Sequence, residues 1–428
     1  MVKEIYNDRI KEKILYEELD TGLKVFFMPK PGFTKKYAMF STHYGSIDNM
    51  FISKGETDPT TVPEGIAHFL EHKLFEEEEA NIFDKFSALG ANINAYTNFN
   101  QTSYLFYTTD NFYESLELLI KFVQSPYLTD ENVEKEKGII AQEIKMYDDN
   151  PRWKVFFNCL KAMYVNHPVK IDIAGTVESI NTITKELLYK CYDTFYSPMN
   201  MILFIVGDLS FDEILKVVKD SEKKGSSGEF TRIYEEEPNE VSQKLIEEEM
   251  SVNIPLFYIG FKDTDLGHTG REAVKKDIVT NMILDLLFTP SAKFYSDLYN
   301  EGLVDQTFGA YYTGKKTYGH SLVVGQSNHP KLVKEKVLDL IQRPVEDILN
   351  EEDFLRLKKK NLGGFLMGFN SEEFIVNNFI DMYFDDFNLL DYLDVVENVQ
   401  FNDLVNRFKS HFVSDNMVLS IIKASKDE

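Results

Sequence analysis

Two apolar runs of matching wording stand 216 residues apart: Asn200-Met-Ile-Leu-Phe-Ile-Val-Gly207 and Asn416-Met-Val-Leu-Ser-Ile-Ile422. Each reads as a strand buried on both faces, because neither alternates apolar with polar residues. A helical pattern ending in aromatic residues precedes each one in the same register, Leu187-Leu188 to Phe195-Tyr196 and Leu404-Val405 to His411-Phe412. The chain therefore reads as a duplicated domain, and a length of 428 residues suits two folding units. Near the midpoint, Ser221 to Phe230 and then Glu235-Glu-Glu-Pro238 form a turn-rich, charged stretch. The expected organisation is a first domain over 1–220, a linker over 221–241 and a homologous second domain over 242–428.

Within the first half, Leu23–Met28 and Tyr37–Tyr44 have strand character around a turn at Pro31-Gly32, which suggests that they pair antiparallel. Helical periodicity follows at 66–75, 111–125, 130–147 and 152–164. In the second half, 256–261 reads as a strand and 272–287 as a helix. Strands and helices mix without the regular alternation of a parallel fold. The class is therefore α+β, with each domain a mainly antiparallel sheet covered by helices.

Composition narrows the function. No apolar run approaches the roughly 18 residues of a membrane helix, and the N-terminus mixes charges without an apolar stretch, so a cytoplasmic location is expected. Cys159 and Cys191 are too few for a disulfide framework and are expected to be buried. A formal net charge of −24 argues against nucleic acid as a partner.

The chemistry concentrates at His68-Phe-Leu-Glu71-His72. Residues four apart share a helix face, so His68 and His72 can offer two imidazoles to one cation while Glu71 stands beside them. Zn²⁺ suits such donors, and Glu71 is then the natural general base. The remaining histidines at 167, 268, 320, 329 and 411 read as core residues, with His43 and His167 as second-choice ligands. A third ligand is expected from a carboxylate on another helix, and Glu134, Glu136 and Glu143 are available. Glu143 borders the apolar stripe of Ile139, Ile140, Ile144 and Met146, so it is taken as ligand. Glu136, two turns earlier, is taken as its outer support. The run Glu76–Glu79 points in several directions and is given no metal role.

These residues resemble a known family. His68-x-x-Glu71-His72 followed by Glu143 is similar to the inverted-zincin signature of the pitrilysin or insulinase metallopeptidases, in a half-size bacterial branch. The resemblance extends to Gly90-Ala-Asn-Ile-Asn94-Ala95-Tyr-Thr97, which in that family forms a sheet edge where substrate adds as a strand. It implies a zinc endopeptidase of peptides or unfolded segments, with Asn94, Ala95 and Thr97 binding substrate. A non-catalytic scaffold or peptide-binding subunit is the alternative, although neither ligands nor base are lost. By the repeat, the helix around Asn281–Phe288 corresponds to the motif helix, but apolar residues stand at both histidine positions. The second half is accordingly read as metal-free, serving substrate enclosure and partner contact. Relatives carry there an Arg followed by a Tyr that help hold the substrate carbonyl. Here Tyr299 stands at the Arg position and Asp305 or Gln306 at the Tyr position, with no arginine from 272 to 342. The resemblance thus implies a paralogous partner subunit carrying the missing pair, ahead of a homodimer.

Overall fold

The computed structural model describes residues 1–76, 81–223 and 228–425. Two compact units form. The first comprises Met1–Ile144, Asp172–Tyr234 and Leu366–Phe384, and the second Lys145–Ile171, Glu235–Phe365 and Asp385–Glu428.

The strands of the first unit are β1 (Lys3–Asn7), β2 (Glu12–Glu18), β3 (Lys24–Pro29), β4 (Lys36–Thr42), β5 (Met50–Ile52), β6 (Thr60–Thr61), β7 (Asn92–Thr97), β8 (Thr102–Thr108), β9 (Met201–Gly207) and β10 (Thr231–Arg232). Seven of them form a sheet in the order β1-β2-β3-β9-β4-β8-β7. The expected pairing of 23–28 with 37–44 is corrected here, because β9 lies between them, parallel to β3 and antiparallel to β4. Every residue of β9 is buried, as its unbroken apolar run requires of a central strand. Alternation divides the faces. Val25, Phe27, Ala38, Phe40, Leu203 and Ile205 join the main core with helix Phe112–Val123. On the other face Phe26 and Phe204 meet Phe379 of helix Glu372–Phe384, with ring centroids 4.9 and 4.2 Å apart.

Of the stretch expected to link the halves, residues 224–227 lie outside the described residues. The part up to Tyr234 is built into the first unit: β10 pairs with β5, and Arg232 Nε and the Tyr234 hydroxyl reach Asp48 at 3.0 and 2.6 Å, whereas Glu235 onward belongs to the second.

The second unit holds β11 (Leu245–Met250), β12 (Leu256–Lys262), β13 (Gly309–Gly314), β14 (Gly319–Gln326) and β15 (Met417–Ala424), in the order β11-β15-β12-β14-β13. One parallel pair and three antiparallel pairs repeat the β3-β9-β4-β8-β7 pattern strand for strand. Helix Pro151–Met163 lies across this sheet, and a Cβ on Gly260 would stand 2.8–2.9 Å from Met163 Sδ and Cys159 Sγ. Glycine there lets the helix side chains approach the strand backbone closely. Both cysteines are buried. The fold is thus α+β, with two repeated, mainly antiparallel sheets. Among the described residues no helix is long and apolar enough to cross a membrane.

Candidate metal centre

The motif helix, Ile66–Leu74, starts at Gly65, whose φ of 85° and approach to the 174–175 backbone exclude a side chain: a Cβ there would lie 2.3 Å from Ala174 O. Phe69, Leu70 and Leu74 bury the inner face of the helix, which packs beside β7. A second helix, Asp130–Asp148, buries Val133, Glu136, Ile140 and Ile144. Its fourfold and threefold spacings leave Glu143 beside that stripe and carry it, with Glu136, to the motif helix.

Two of the expected ligands, His68 and His72, converge with the third, Glu143. One donor atom from each lies within 4.8 Å of the other two. His68 Nε2 is 3.7 Å from Glu143 Oε1, and His72 Nε2 is 3.5 Å from Glu143 Oε2. These separations are too long for good hydrogen bonds. They match a tetrahedral ion with bonds of about 2.0–2.2 Å, which sets its ligand atoms roughly 3.3–3.6 Å apart. The donor set therefore fits Zn²⁺. His72 Nδ1 lies 3.1 Å from Glu136 Oε1, so Glu136 supports a histidine from behind. His68 Nδ1 is buried without a hydrogen-bond partner.

Glu71 is buried and accepts a 2.7 Å bond from the Thr97 hydroxyl. Burial raises its pKa, against the bonds from Thr97. Burial, then neighbouring His72, lowers His68 to about 3. For His72 burial works the same way, but the Glu136 bond and the charges of Glu71, Glu143 and Glu136 outweigh it and raise its pKa.

Asn94, Ala95 and Thr97 lie on β7, the edge strand of the sheet and the first arm of a hairpin to β8. Sequence reasoning placed Thr97 on this edge but missed its contact with Glu71. It also missed Lys73, fully buried beside Glu136 and Glu76. A lysine in register with Phe69 and Leu70, inside an apolar stripe, was the available signal. Of the acidic run, Glu77, Glu78 and Glu79 lie outside the described residues.

The other histidines are elsewhere. His43 stacks on Phe384 with ring centroids 4.6 Å apart, and His167 Nε2 meets the Thr317 hydroxyl at 3.0 Å. His320 and His411 are buried as expected. His268 and His329 are not: His268 pairs with Asp265 near the surface, and His329 stands exposed at the N-cap position of helix Pro330–Ile341, with no side-chain capping bond.

A His-x-x-Glu-His helix beside the edge of a mainly antiparallel sheet, with a downstream glutamate brought to it, defines an inverted-zincin scaffold. The family model described as Insulinase (Peptidase family M16) matches residues 46–177, and the Peptidase M16 inactive domain matches 182–361. The chain is 42% identical over 422 residues to the uncharacterized zinc protease YmfH of Bacillus subtilis, covering 98% of each protein. To YmxG of the same organism, also named a zinc protease, it is 24% identical, covering 75% of this chain and 78% of that one. An M16-like peptidase from Alicyclobacillus acidocaldarius superposes with a TM-score of 0.92 at 40% identity, covering 97% of this chain and 99% of that one. A Helicobacter pylori protease shares the fold at TM-score 0.82 and 21% identity, covering 96% and 99%. The chain belongs to the insulinase family of peptidases, M16, in the half-size branch that includes YmfH.

Proposed function

We propose that this chain is a zinc metalloendopeptidase that cleaves peptides or unfolded segments. The observation that carries the reading is the convergence of His68, His72 and Glu143 with Glu71 buried beside them. His68, His72 and Glu143 would hold the ion, and Glu136 would orient His72. Zinc bound there supplies Lewis acidity toward the scissile carbonyl and makes water a stronger acid. Glu71, held by Thr97, takes the proton from the attacking water and returns it to the leaving amine. The edge of β7 along Asn94, Ala95 and Thr97 accepts an extended peptide as an added strand, displacing the 2.9 Å bond by which the Ala95 amide donates to Asn94 Oδ1.

The chain works with a paralogous subunit. Tyr299 is 47% exposed and stacks on Tyr295, while Asp305 accepts a bond from the Thr307 amide. Neither supplies the planar cation that grips a carbonyl or carboxylate. The deciding experiment is peptide hydrolysis with and without a paralogue that lacks the motif but carries the Arg and Tyr. Glu71→Gln should keep zinc and fold while losing about 10²–10⁴-fold in turnover of the assembled enzyme. Equal turnover by this variant and the wild type would remove Glu71 as base. Robust hydrolysis by the purified chain, unchanged by any such partner, would remove the partner requirement.

A further inference from the structure

Lys73 immediately follows the second motif histidine and is 0% exposed. A buried ammonium is tolerated only where partners replace its water. Its stem lies in the apolar stripe of the motif helix, and its Nζ reaches three groups. It donates to the Asn132 carbonyl at 3.2 Å, pairs with Glu76, and lies 3.8 Å from Glu136 Oε2. The other oxygen of Glu136 is the one at 3.1 Å from His72 Nδ1. One carboxylate thus bridges a buried cation and an imidazole whose opposite nitrogen faces Glu143.

We infer that Lys73 is a positioning residue for the metal centre: it fixes the Glu136 carboxylate, which fixes the ring of His72 so that Nε2 points at the ion. This rests on the zinc-binding reading given above. The arrangement follows from function as well as packing. A methionine or leucine would fill the same stripe without a desolvated charge, yet would leave Glu136 held from one side only. An outer-sphere partner of this kind changes metal affinity about 10–100-fold when lost.

The competing account is that Lys73 merely ties the start of the second helix through the Asn132 carbonyl. Zinc dissociation constants of the full chain, measured by competition with a chromogenic chelator, separate the two. Lys73→Met should weaken zinc about 10–100-fold, Glu136→Gln comparably, and the double variant no further than Glu136→Gln alone. Additive losses in the double variant would overturn the relay. Cobalt-substituted protein gives a second readout, since a reoriented His72 shifts the visible absorption of the ion, whereas a purely structural tie leaves it unchanged. Lys73→Gln covers the case in which the methionine variant does not fold, because its amide can still donate to Asn132. Zinc binding weakened about 10–100-fold in Lys73→Gln supports the proposal, and wild-type affinity overturns it. A wild-type chain that fails to bind zinc tightly would sink the metal reading itself, and the relay with it.

Discussion

The two repeats place a helix at the same point beside equivalent sheets and use it differently. In the first unit the motif helix carries His68 and His72. In the second, helix Gly270–Phe288 carries Leu284 and Phe288 at the repeat positions, 1% and 0% exposed. The second unit keeps its buried charge elsewhere. Asp263 accepts bonds of 3.0 and 2.6 Å from both terminal nitrogens of Arg407 and one of 2.6 Å from the Tyr312 hydroxyl, while Arg407 Nε reaches Thr280 at 2.8 Å. Those groups satisfy one another. In the first unit the imidazoles and Glu143 face each other at 3.7 and 3.5 Å, too far for good hydrogen bonds. On the zinc-binding reading proposed above, that contrast separates a half-buried ligand site with bonding capacity left over from a buried structural ion pair.

Removing ligands gives the largest expected effect. His68→Ala, His72→Ala and Glu143→Ala should each lower zinc affinity by several orders of magnitude, read by metal analysis after dialysis, because each takes one of three protein donors. Full zinc occupancy in Glu143→Ala would transfer the third position to Glu136, because His43, the second-choice ligand, stacks on Phe384 away from the motif histidines. Introducing Leu284→His and Phe288→His should not create the counterpart site. Both positions are buried in the apolar face of that helix, so the variant should lose stability and bind no zinc.

Where periodicity was local, the sequence carried the fold. Helix 66–75 appears as Ile66–Leu74, 130–147 as Asp130–Asp148, and the repeated runs as β9 and β15, each preceded by a helix and a short 3-10 turn. The approach of Glu143 to the motif histidines was readable because one helix face decides what it can reach. Strand order was not. The place of β9 between β3 and β4 depends on a pairing closed over about 180 residues of chain, to which neighbouring residues give no clue. Asp263 and Arg407 stand 144 positions apart, and each reads alone as an ordinary surface charge. Lys73 escaped for a different reason: a lysine beside a metal motif looks solvated until the carboxylates around it are in place.

Breaking the saturated network should cost less than breaking the metal site, but more than an ordinary substitution. Asp263→Asn leaves the Arg407 guanidinium buried, 6% exposed, without its counter-charge. A loss of about 3–5 kcal/mol is expected for such a pair, read from urea denaturation. Against the cost of burial, His411 and then Arg407 hold Asp263 well below the usual carboxylate range. The pair therefore remains intact at neutral and moderately acidic pH. A wild-type midpoint for Asp263→Asn would show that the network is replaceable, as the apolar helix beside it is.

The smallest expected effect is the acid sensitivity of the second unit. Burial lowers His167 to about 4, His320 to about 3 and His411 to about 4, so all three stay neutral in the folded protein at pH 6. In the unfolded chain each takes a proton near pH 6.5. The unfolded state then binds more protons than the folded one, and stability falls as pH drops from about 6.5 toward those folded values. Between pH 7 and pH 6 the loss is about 0.7 kcal/mol for each histidine. His268, partly exposed and raised chiefly by its bond to Asp265, opposes this weakly. The metal-free first unit lacks the same uniform sign. His68 is lowered and loses stability with acid, whereas His72 is raised, so its contribution is present below the unfolded pKa and lost as pH rises. Urea midpoints of chelator-treated protein at pH 7 and pH 6 measure the sum. His320→Gln should remove about a third of the slope, because a neutral amide takes no proton in either state. A slope unchanged in that variant would place the acid sensitivity outside His320.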